Sequence, residues 1–228
     1  MIKTVLLDLD DTIFDFKACE RQALAVALSS FSILYEDADL SDYSRINDAM
    51  WKLLEKGEIT REELKTKRFR IFLSRYLDPP SPEEFAERYM EKLSWTSALE
   101  PGARELLEEL SRSYSLYAVT NGYEQTQNGR LRSAGIGSYF KEIFISQRIG
   151  AVKPKKEFFD YCVSRIPDFS LAESVLIGDS LTSDIAGGNA YGLFTIRYNP
   201  LGGSDHPEIL PDREVASLAE IPSLLKTL

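Results

Sequence analysis

Four groups of polar residues stand where short apolar runs of this sequence end. They are DLDDT at 8–12, TNG at 120–122, the pair Lys153-Pro154, and GDSLTSD at 178–184. Carboxylates as close together as those of the first group repel one another, and removal from water increases the repulsion. A bound cation would offset it, and several carboxylates without a partner histidine or cysteine suit Mg²⁺. The sequence therefore predicts a magnesium site.

Asp8 and Asp10 have a spacing that suits two different chemical roles. Residues two apart in an extended segment point the same way, so both side chains leave the strand on one side. Asp8 could attack a metal-bound phosphoryl group and form an aspartyl phosphate. Asp10 could first protonate the leaving oxygen and then deprotonate the hydrolytic water. Asp179 ends another predicted strand, and Asp184 follows where the next helix begins.

The other two groups offer donors for phosphoryl oxygens. Thr120 has a hydroxyl, Asn121 and Gly122 have backbone N–H groups at a loop entering a helix, and Lys153 has a point charge. Pro154 restricts Lys153 to extended backbone angles. Taken singly, each group also fits a structural role, since DxD and TNG are common turns and Lys153 alone would be a surface lysine. Asp11 is interpreted in that way, as solvated or as a turn acceptor.

The hydrophobic pattern predicts the elements that position these groups. Residues 2–9 form a strand buried on both faces. Four helices then follow within residues 16–96, with Gly57 as a C-cap, Thr60 and Glu63 as a capping box, and Ser81-Pro82 as an N-terminus. After residue 101, helices alternate with strands at SLYAVTNG, EIFISQ, SVLIGD and LFTIRY.

This alternation indicates a doubly wound α/β core, a parallel sheet with helices on both faces. We expect a Rossmann-like core of residues 1–15 and 97–228, and an inserted α-helical cap domain of residues 16–96. Ligands of such sheets bind beyond the carboxyl ends of the strands. All four polar groups should therefore face one crevice.

Composition excludes several classes of partner. The chain has 228 residues and a formal charge of −9, so it has no broad cationic surface for polymeric nucleic acid or an anionic membrane. No apolar run approaches the roughly 18 residues of a membrane span. Cys19 and Cys162 lack CxxC spacing and are expected to be ordinary thiols of a cytoplasmic protein. The only histidine, His206, lies in a Gly/Pro-rich loop, which argues against histidine phosphotransfer and serine triads.

In this order, DLDDT, TNG, Lys153-Pro154 and GDSLTSD resemble the four motifs of the haloacid dehalogenase (HAD) superfamily of phosphohydrolases. The resemblance implies a Rossmannoid core, a helical cap inserted after the first motif, and Mg²⁺-dependent hydrolysis of phosphate monoesters. By motif, the resemblance implies that Asp8 is the nucleophile and a metal ligand, and that Asp10 is the acid/base and also binds the metal through its backbone carbonyl. It implies that Asp179 is the metal-binding carboxylate and Asp184 its supporting acid. Thr120 and Asn121 match the phosphate-binding positions, and Lys153 matches the charge-balancing lysine. The dehalogenases of the superfamily usually lack an acid at the position of Asp10, so its presence favours phosphate chemistry.

A finer resemblance links the cap segment 46–69, VTNG, GDSLTSDIAGG and the late YNP to bacterial pyrimidine 5′-nucleotidases. It implies a nucleotide as the small-molecule phosphate ester. Trp51, Phe69 and Tyr89 could stack on a base or could be core residues at helical spacing. The alternatives are a sugar-phosphate or phosphoglycolate-type phosphatase, and a non-catalytic binding or regulatory protein on the same fold. The latter would be expected to have lost one of its active-site acids.

Overall fold

A parallel β-sheet forms the centre of the computed structural model, which describes residues 1–204 and 206–228. Its strands are β1 (Thr4–Leu7), β2 (Ser115–Thr120), β3 (Glu142–Ile145), β4 (Ser174–Gly178), β5 (Phe194–Tyr198) and β6 (Arg213–Val215). They lie in the order β3-β2-β1-β4-β5-β6, and each neighbouring pair is parallel. The order runs outward from β1 in both directions, which confirms the predicted doubly wound fold class.

The helices cover both faces of the sheet and the region between β1 and β2. They are α1 (Phe16–Ser30), α2 (Asp37–Lys56), α3 (Arg61–Leu73), α4 (Pro82–Leu93), α5 (Ala103–Leu110), α6 (Glu124–Ala134), α7 (Ser146–Ile149), α8 (Lys156–Arg165), α9 (Ala186–Tyr191) and α10 (Ile221–Leu225). A π-helical turn, Leu181–Ile185, precedes α9. The four consecutive helices α1–α4 form the inserted α-helical part, whereas the exact domain boundaries at residues 15 and 96 stay a prediction.

The helix ends follow local side-chain chemistry. Gly57 ends α2 with a φ of 74°, and the Thr60 hydroxyl accepts a hydrogen bond from the Glu63 N–H at the start of α3. The Ser81 hydroxyl accepts from the Glu84 N–H at the start of α4. These three predicted ends are confirmed. The short elements α7, β6 and α10 were not predicted, because three to five residues give too little periodicity to detect.

Separate hydrophobic clusters lie on the two faces of the sheet and inside the inserted helices. Val5 and Leu7 of β1 face the cluster that contains α5 and α10, whereas Leu6 faces Phe158 and Phe159 of α8. The third cluster belongs almost entirely to α1–α4. The sheet and the inserted helices therefore each have a core of their own.

The aromatic residues of α2–α4 are mostly core residues. The rings of Phe69 and Tyr89 are completely buried, with centroids 5.1 Å apart, and Tyr43 stacks on Phe69 at 5.3 Å. A role in base stacking for Phe69 and Tyr89 is therefore wrong, because their helix faces pack into the cluster. Among the described residues, no helix has both the length and the apolar character to cross a membrane.

Candidate functional site

A cavity of about 340 Å³ lies between the carboxyl ends of β1, β2 and β4 and the helices α1–α4. In the sheet, β1 is the strand between β2 and β4, so polar residues that follow these three strands meet at one edge. All the predicted catalytic, metal-binding and phosphate-binding residues line this cavity, namely Asp8, Asp10, Thr120, Asn121, Lys153, Asp179 and Asp184. Residues from four separate segments of the chain therefore converge.

Lys153 is the cation at the centre of the site. Its Nζ donates to Asp8 Oδ1 at 2.5 Å, to Asp184 Oδ1 at 2.6 Å and to the Val119 carbonyl at 2.8 Å. The side chain is 1% exposed, so it is not a surface lysine. Burial disfavours the ammonium, but the carboxylates of Asp184 and Asp8 raise the pKa of Lys153 above its usual value. It therefore stays charged.

Three carboxylates surround this single ammonium. One oxygen of each of Asp8, Asp179 and Asp184 lies within 4.8 Å of the others. Burial raises the pKa of Asp8 despite the opposing effect of Lys153, and burial together with the Asp8 and Asp184 carboxylates raises the pKa of Asp179. The excess negative charge and the hard oxygen donors fit a divalent cation such as Mg²⁺.

The loop after β1 leaves a further oxygen for such an ion. Leu9 O accepts hydrogen bonds from the N–H groups of Ile13 and Phe14, and Phe14 O accepts from Asp11 N. None of the backbone hydrogen bonds described outside helices and strands ends on the Asp10 carbonyl. That carbonyl is thus available as a metal ligand. Asp11 has a φ of 61°, and its Oδ1 accepts from the Phe16 N–H at 3.1 Å, as expected for a turn acceptor.

The segment 178–184 positions the remaining acids. The N-cap of the π-helical turn is Ser180, whose hydroxyl accepts a hydrogen bond from the Ser183 N–H. Asp184 Oδ2 accepts from the Ser180 N–H at 3.3 Å. A Cβ at Gly178 would lie 2.4 Å from Asp184 Cγ, so only glycine leaves room for this acid. The Thr12 hydroxyl orients Asp179 by donating to its Oδ1 at 3.2 Å.

Some hydrogen-bond donors of the TNG loop already donate to other groups of the protein. Asn121 Nδ2 donates to the Lys153 carbonyl at 3.0 Å, and Asn121 Oδ1 accepts from the Lys153 N–H at 2.8 Å. This amide joins two loops. The Gly122 N–H donates to Thr120 Oγ1 at 3.1 Å, so the expected use of Gly122 as a free donor is wrong. The Thr120 hydroxyl and the Asn121 backbone N–H are the donors that this loop has left for an anion.

Two residues of α6, Gln127 and Arg130, contact the site and were missed by the sequence analysis. Gln127 Nε2 donates to Asp10 Oδ2 at 2.7 Å, and Arg130 Nη1 donates to Asp10 Oδ1. Both side chains are at most 1% exposed. The sequence contained one indication of their role. Gln127 and Arg130 lie on the face of α6 that also carries Leu131 and Ala134, and a buried helix face is expected to carry apolar residues.

The inserted helices supply the opposite wall of the cavity. Trp51 lies edge-on to Tyr123, with ring centroids 5.9 Å apart. The guanidinium of Arg68 lies 5.8 Å from the Tyr123 ring, and its Nη1 donates to Asn47 Oδ1 at 2.7 Å. Met90 adds an apolar surface. Trp51 is thus the one of the three aromatic candidates from the sequence that reaches the cavity.

Comparison with known proteins agrees with this arrangement. The sequence model of the haloacid dehalogenase-like hydrolases matches residues 2–192. The chain is 39% identical over 223 residues to the HAD-hydrolase YfnB of Bacillus subtilis, covering 98% of this chain and 95% of that protein. The crystal structure of YfnB bound to magnesium has a TM-score of 0.93 at 38% identity, with 98% of both chains covered.

Two further relatives are named pyrimidine 5′-nucleotidases. PynA of Streptococcus pneumoniae is 37% identical over 220 residues, which are 96% of this chain and 93% of that protein. YjjG of Escherichia coli is 28% identical over 221 residues, which are 97% of this chain and 96% of that protein. The resemblance drawn from the four motifs is confirmed, and the chain belongs to the family of haloacid dehalogenase-like hydrolases.

Proposed function

We propose that this protein is a Mg²⁺-dependent phosphatase that hydrolyses nucleoside 5′-monophosphates, pyrimidine nucleotides above all, through an aspartyl phosphate on Asp8. The observation that carries the proposal is the group of Asp8, Asp179 and Asp184 at the floor of the cavity, where Lys153 pairs with Asp8 and Asp184. Asp10 lines the same floor two residues after Asp8. A nucleophile, an acid/base and a charge-balancing cation therefore lie together.

The metal would be held by Asp8, Asp179 and the Asp10 carbonyl, with Asp184 in support. When bound, Mg²⁺ supplies positive charge that lowers the repulsion between the phosphate ester and an attacking carboxylate. Lys153 occupies Asp8 Oδ1, so Oδ2 is the oxygen free to attack. The Thr120 hydroxyl and the Asn121 N–H donate to phosphoryl oxygens. The three N–H groups of Lys153 already donate to Asp8, Asp184 and the Val119 carbonyl, so this residue contributes its positive charge.

Hydrolysis then takes two steps. In the first, Asp8 Oδ2 forms a bond to phosphorus, the ester P–O bond breaks, and the Asp10 carboxyl gives its proton to the leaving oxygen. In the second, the Asp10 carboxylate takes a proton from water, the water oxygen bonds to phosphorus, and the bond between phosphorus and Asp8 breaks. Inorganic phosphate leaves, and both acids return to their starting states.

The wall of the cavity supports a nucleoside as the leaving group. Trp51 and Tyr123 offer aromatic surface to a flat ring, and Arg68 offers hydrogen-bond donors to ring oxygens. Arg68 Nε has no partner among the described residues, although it is buried. The two relatives named pyrimidine 5′-nucleotidases support the same substrate class.

The test is phosphate release from a panel of monoesters. The panel contains UMP, CMP, AMP, glucose 6-phosphate and phosphoglycolate, each measured with Mg²⁺ and with excess EDTA. We expect the highest kcat/KM with the pyrimidine nucleotides and no turnover in EDTA. A higher kcat/KM with glucose 6-phosphate or phosphoglycolate would instead favour the sugar-phosphate or phosphoglycolate-type alternative.

The covalent intermediate has its own test. An acyl phosphate on Asp8 is reduced by borohydride to homoserine, so mass spectrometry after quenching during turnover should find homoserine at position 8. The same treatment without substrate is the control. Reduction of another carboxylate would contradict Asp8 as the nucleophile. The absence of homoserine from samples quenched during turnover would contradict it as well.

A further inference from the structure

Gln127 and Arg130 of α6 form a hydrogen-bonded group beneath the two residues that act on the phosphate. Gln127 Nε2 donates to Asp10 Oδ2 and to Thr120 Oγ1, both at 2.7 Å. Arg130 Nη1 donates to Asp10 Oδ1 and to Gln127 Oε1, the latter at 3.2 Å. The side chains of Thr120, Gln127 and Arg130 are each at most 1% exposed. The bonds to Thr120 Oγ1 and to Gln127 Oε1 are therefore shielded from water, whereas the Asp10 carboxyl is partly exposed to the cavity.

These bonds determine the direction of each donor. A guanidinium only donates, so the end of the Gln127 amide that faces Arg130 must be the oxygen. The NH₂ end must then face Asp10 and Thr120. Thr120 Oγ1 accepts from Gln127 and from the Gly122 N–H, which fills both acceptor positions of a hydroxyl. The Thr120 O–H is left to donate to a group in the cavity.

We propose that Gln127 and Arg130 are positioning residues of the phosphatase reaction. Arg130 sets the orientation of the Gln127 amide, and together they aim the Asp10 carboxyl at the leaving oxygen and the Thr120 O–H at a phosphoryl oxygen. The inference rests on the proposed function, since it assigns Asp10 and Thr120 the roles described there. Both residues act through Asp10 and Thr120, to which their side chains are hydrogen-bonded directly or through each other.

The guanidinium of Arg130 packs against two aromatic rings. Its guanidinium lies 4.1 Å from the ring centroid of Phe14 and 5.5 Å from that of Phe16. Its Nε and Nη2 are buried and have no hydrogen-bond partner among the described residues. Buried donors without partners cost stability, so an arginine here is explained by the geometry it imposes rather than by stability.

A glycine makes room for Gln127. A Cβ at Gly122 would lie 2.5 Å from Gln127 Nε2, closer than any side chain tolerates. The glycine of the TNG loop therefore allows the amide to reach Thr120. This gives Gly122 a role that differs from donating to phosphate.

The test compares two phosphate esters that differ in leaving group. UMP leaves as an alkoxide, which needs a proton from Asp10, whereas p-nitrophenyl phosphate leaves as a stabilised phenolate, which does not. For both, kcat/KM covers the steps up to cleavage of the ester bond. A displaced Asp10 therefore lowers kcat/KM for UMP more than for the aryl ester.

The variants are Gln127→Leu, Arg130→Met and Arg130→Lys, with Gln125→Leu and Arg132→Met as exposed controls on the same helix. We expect Arg130→Met to lower kcat/KM for UMP by about 10²-fold and for p-nitrophenyl phosphate by tenfold or less. Gln127→Leu lowers both values, because Thr120 loses its partner, and lowers the UMP value more. Arg130→Lys restores part of the loss, and the controls match the wild type.

A double variant tests whether the two residues act as a unit. Gln127→Leu with Arg130→Met should lose little more than the more severe single change. Equal losses on the two esters, or losses that multiply in the double variant, would overturn the proposal and leave a structural role. Circular dichroism checks that each variant folds. If Arg130→Met does not fold, the comparison of the two esters is made with Arg130→Lys and Gln127→Leu.

The result is separable from that of the proposed function. If the wild type hydrolyses a sugar phosphate better than UMP, the proposed substrate class is wrong, and the sugar phosphate takes the place of UMP as the ester with an alkoxide leaving group. The comparison with p-nitrophenyl phosphate then decides the positioning role by the same criteria.

Discussion

At the scale of single residues, the charge balance around Lys153 explains most of the site. One buried ammonium contacts Asp8 and Asp184, and Asp179 forms no ion pair among the described residues. Burying carboxylates costs free energy unless cations neutralise them, and one ammonium cannot neutralise three. The chain therefore keeps a locally unfavourable arrangement at the floor of the cavity. A bound divalent cation would remove that cost.

Asp8→Asn should abolish turnover without destabilising the fold. The amide is a poor nucleophile and a poor metal ligand, so we expect kcat to fall by roughly 10³-fold or more. Burial raises the pKa of the Asp8 carboxyl, so removing its charge should leave the melting temperature equal or higher. Phosphate release and thermal unfolding measure the two effects. Asp168→Asn, at an exposed turn, is the control, and retained activity in Asp8→Asn would require a different nucleophile.

At the scale of elements, hydrogen bonds of Arg61 and Glu55 join the inserted helices to the loops that carry the site. Arg61, the first residue of α3, donates to the Asn121 carbonyl at 3.0 Å and to Ser146 Oγ at 2.6 Å. The Tyr123 hydroxyl donates to the Arg61 carbonyl at 3.1 Å. The Thr182 hydroxyl donates to Glu55 of α2 at 2.9 Å. Helices α2 and α3 thus contact the TNG loop and the segment after β4 directly.

Arg61→Met should weaken the contact between the inserted helices and the TNG loop. Without its hydrogen bonds, the cavity spends more time open to water, so we expect kcat/KM for UMP to fall by about tenfold. Limited proteolysis should cut the loops that flank α1–α4 faster than in the wild type. Arg70→Met, at an exposed position of the same helix, is the control. Unchanged turnover in Arg61→Met would show that closure of the cap does not limit the reaction.

A buried acid in α1 should make stability depend on pH. Glu20 is 2% exposed, and its Oε1 accepts from Asn47 Nδ2 at 2.7 Å. Burial raises the pKa of Glu20 above its usual value. The folded state therefore binds this proton more tightly than the unfolded state does, and the resulting stability is present at low pH and lost as the pH rises through the raised pKa.

Glu20→Gln removes that titration while keeping the acceptor for Asn47. We expect the variant to be more stable than the wild type at pH 8, with the difference shrinking towards pH 5. Urea unfolding at several pH values measures it, and Glu157→Gln on the exposed face of α8 is the control. A difference that grew towards low pH would contradict the assigned direction of the shift.

At the scale of the whole molecule, the sheet and the inserted helices have separate hydrophobic cores, and the site lies where they meet. The strands β1, β2 and β4 are neighbours in the sheet although more than 50 residues separate each from the next along the chain. The acids therefore come together only in the folded state. A ligand that binds them should stabilise that state.

Magnesium should accordingly raise the melting temperature. At a concentration 100 times its Kd, the folded state gains about 2.7 kcal/mol. Asp179→Asn should abolish most of this shift, since it removes a charged ligand, whereas Asp168→Asn should keep it. Thermal unfolding in Mg²⁺ and in EDTA measures the effect. An equal shift in Asp179→Asn would show that the ion binds elsewhere.

The sequence alone predicted the longer strands and helices and the polar residues that follow β1, β2 and β4. Hydrophobic periodicity and capping are local, so the helix ends at Gly57 and Thr60 could be predicted from a few neighbouring residues. In a parallel sheet, residues that follow the strands meet at one edge, so the convergence of Asp8, Thr120 and Asp179 was also predictable.

Only the tertiary structure decided how side chains from distant segments pair. Arg130 and Asp10 are 120 residues apart, and whether that face of α6 meets the β1 loop depends on how the helix packs. The same holds for Trp51, Phe69 and Tyr89, since all three have helical spacing and only packing placed the first at the cavity and the others in the core. Local hydrogen bonding determines the elements, whereas long-range packing determines which of their faces meet.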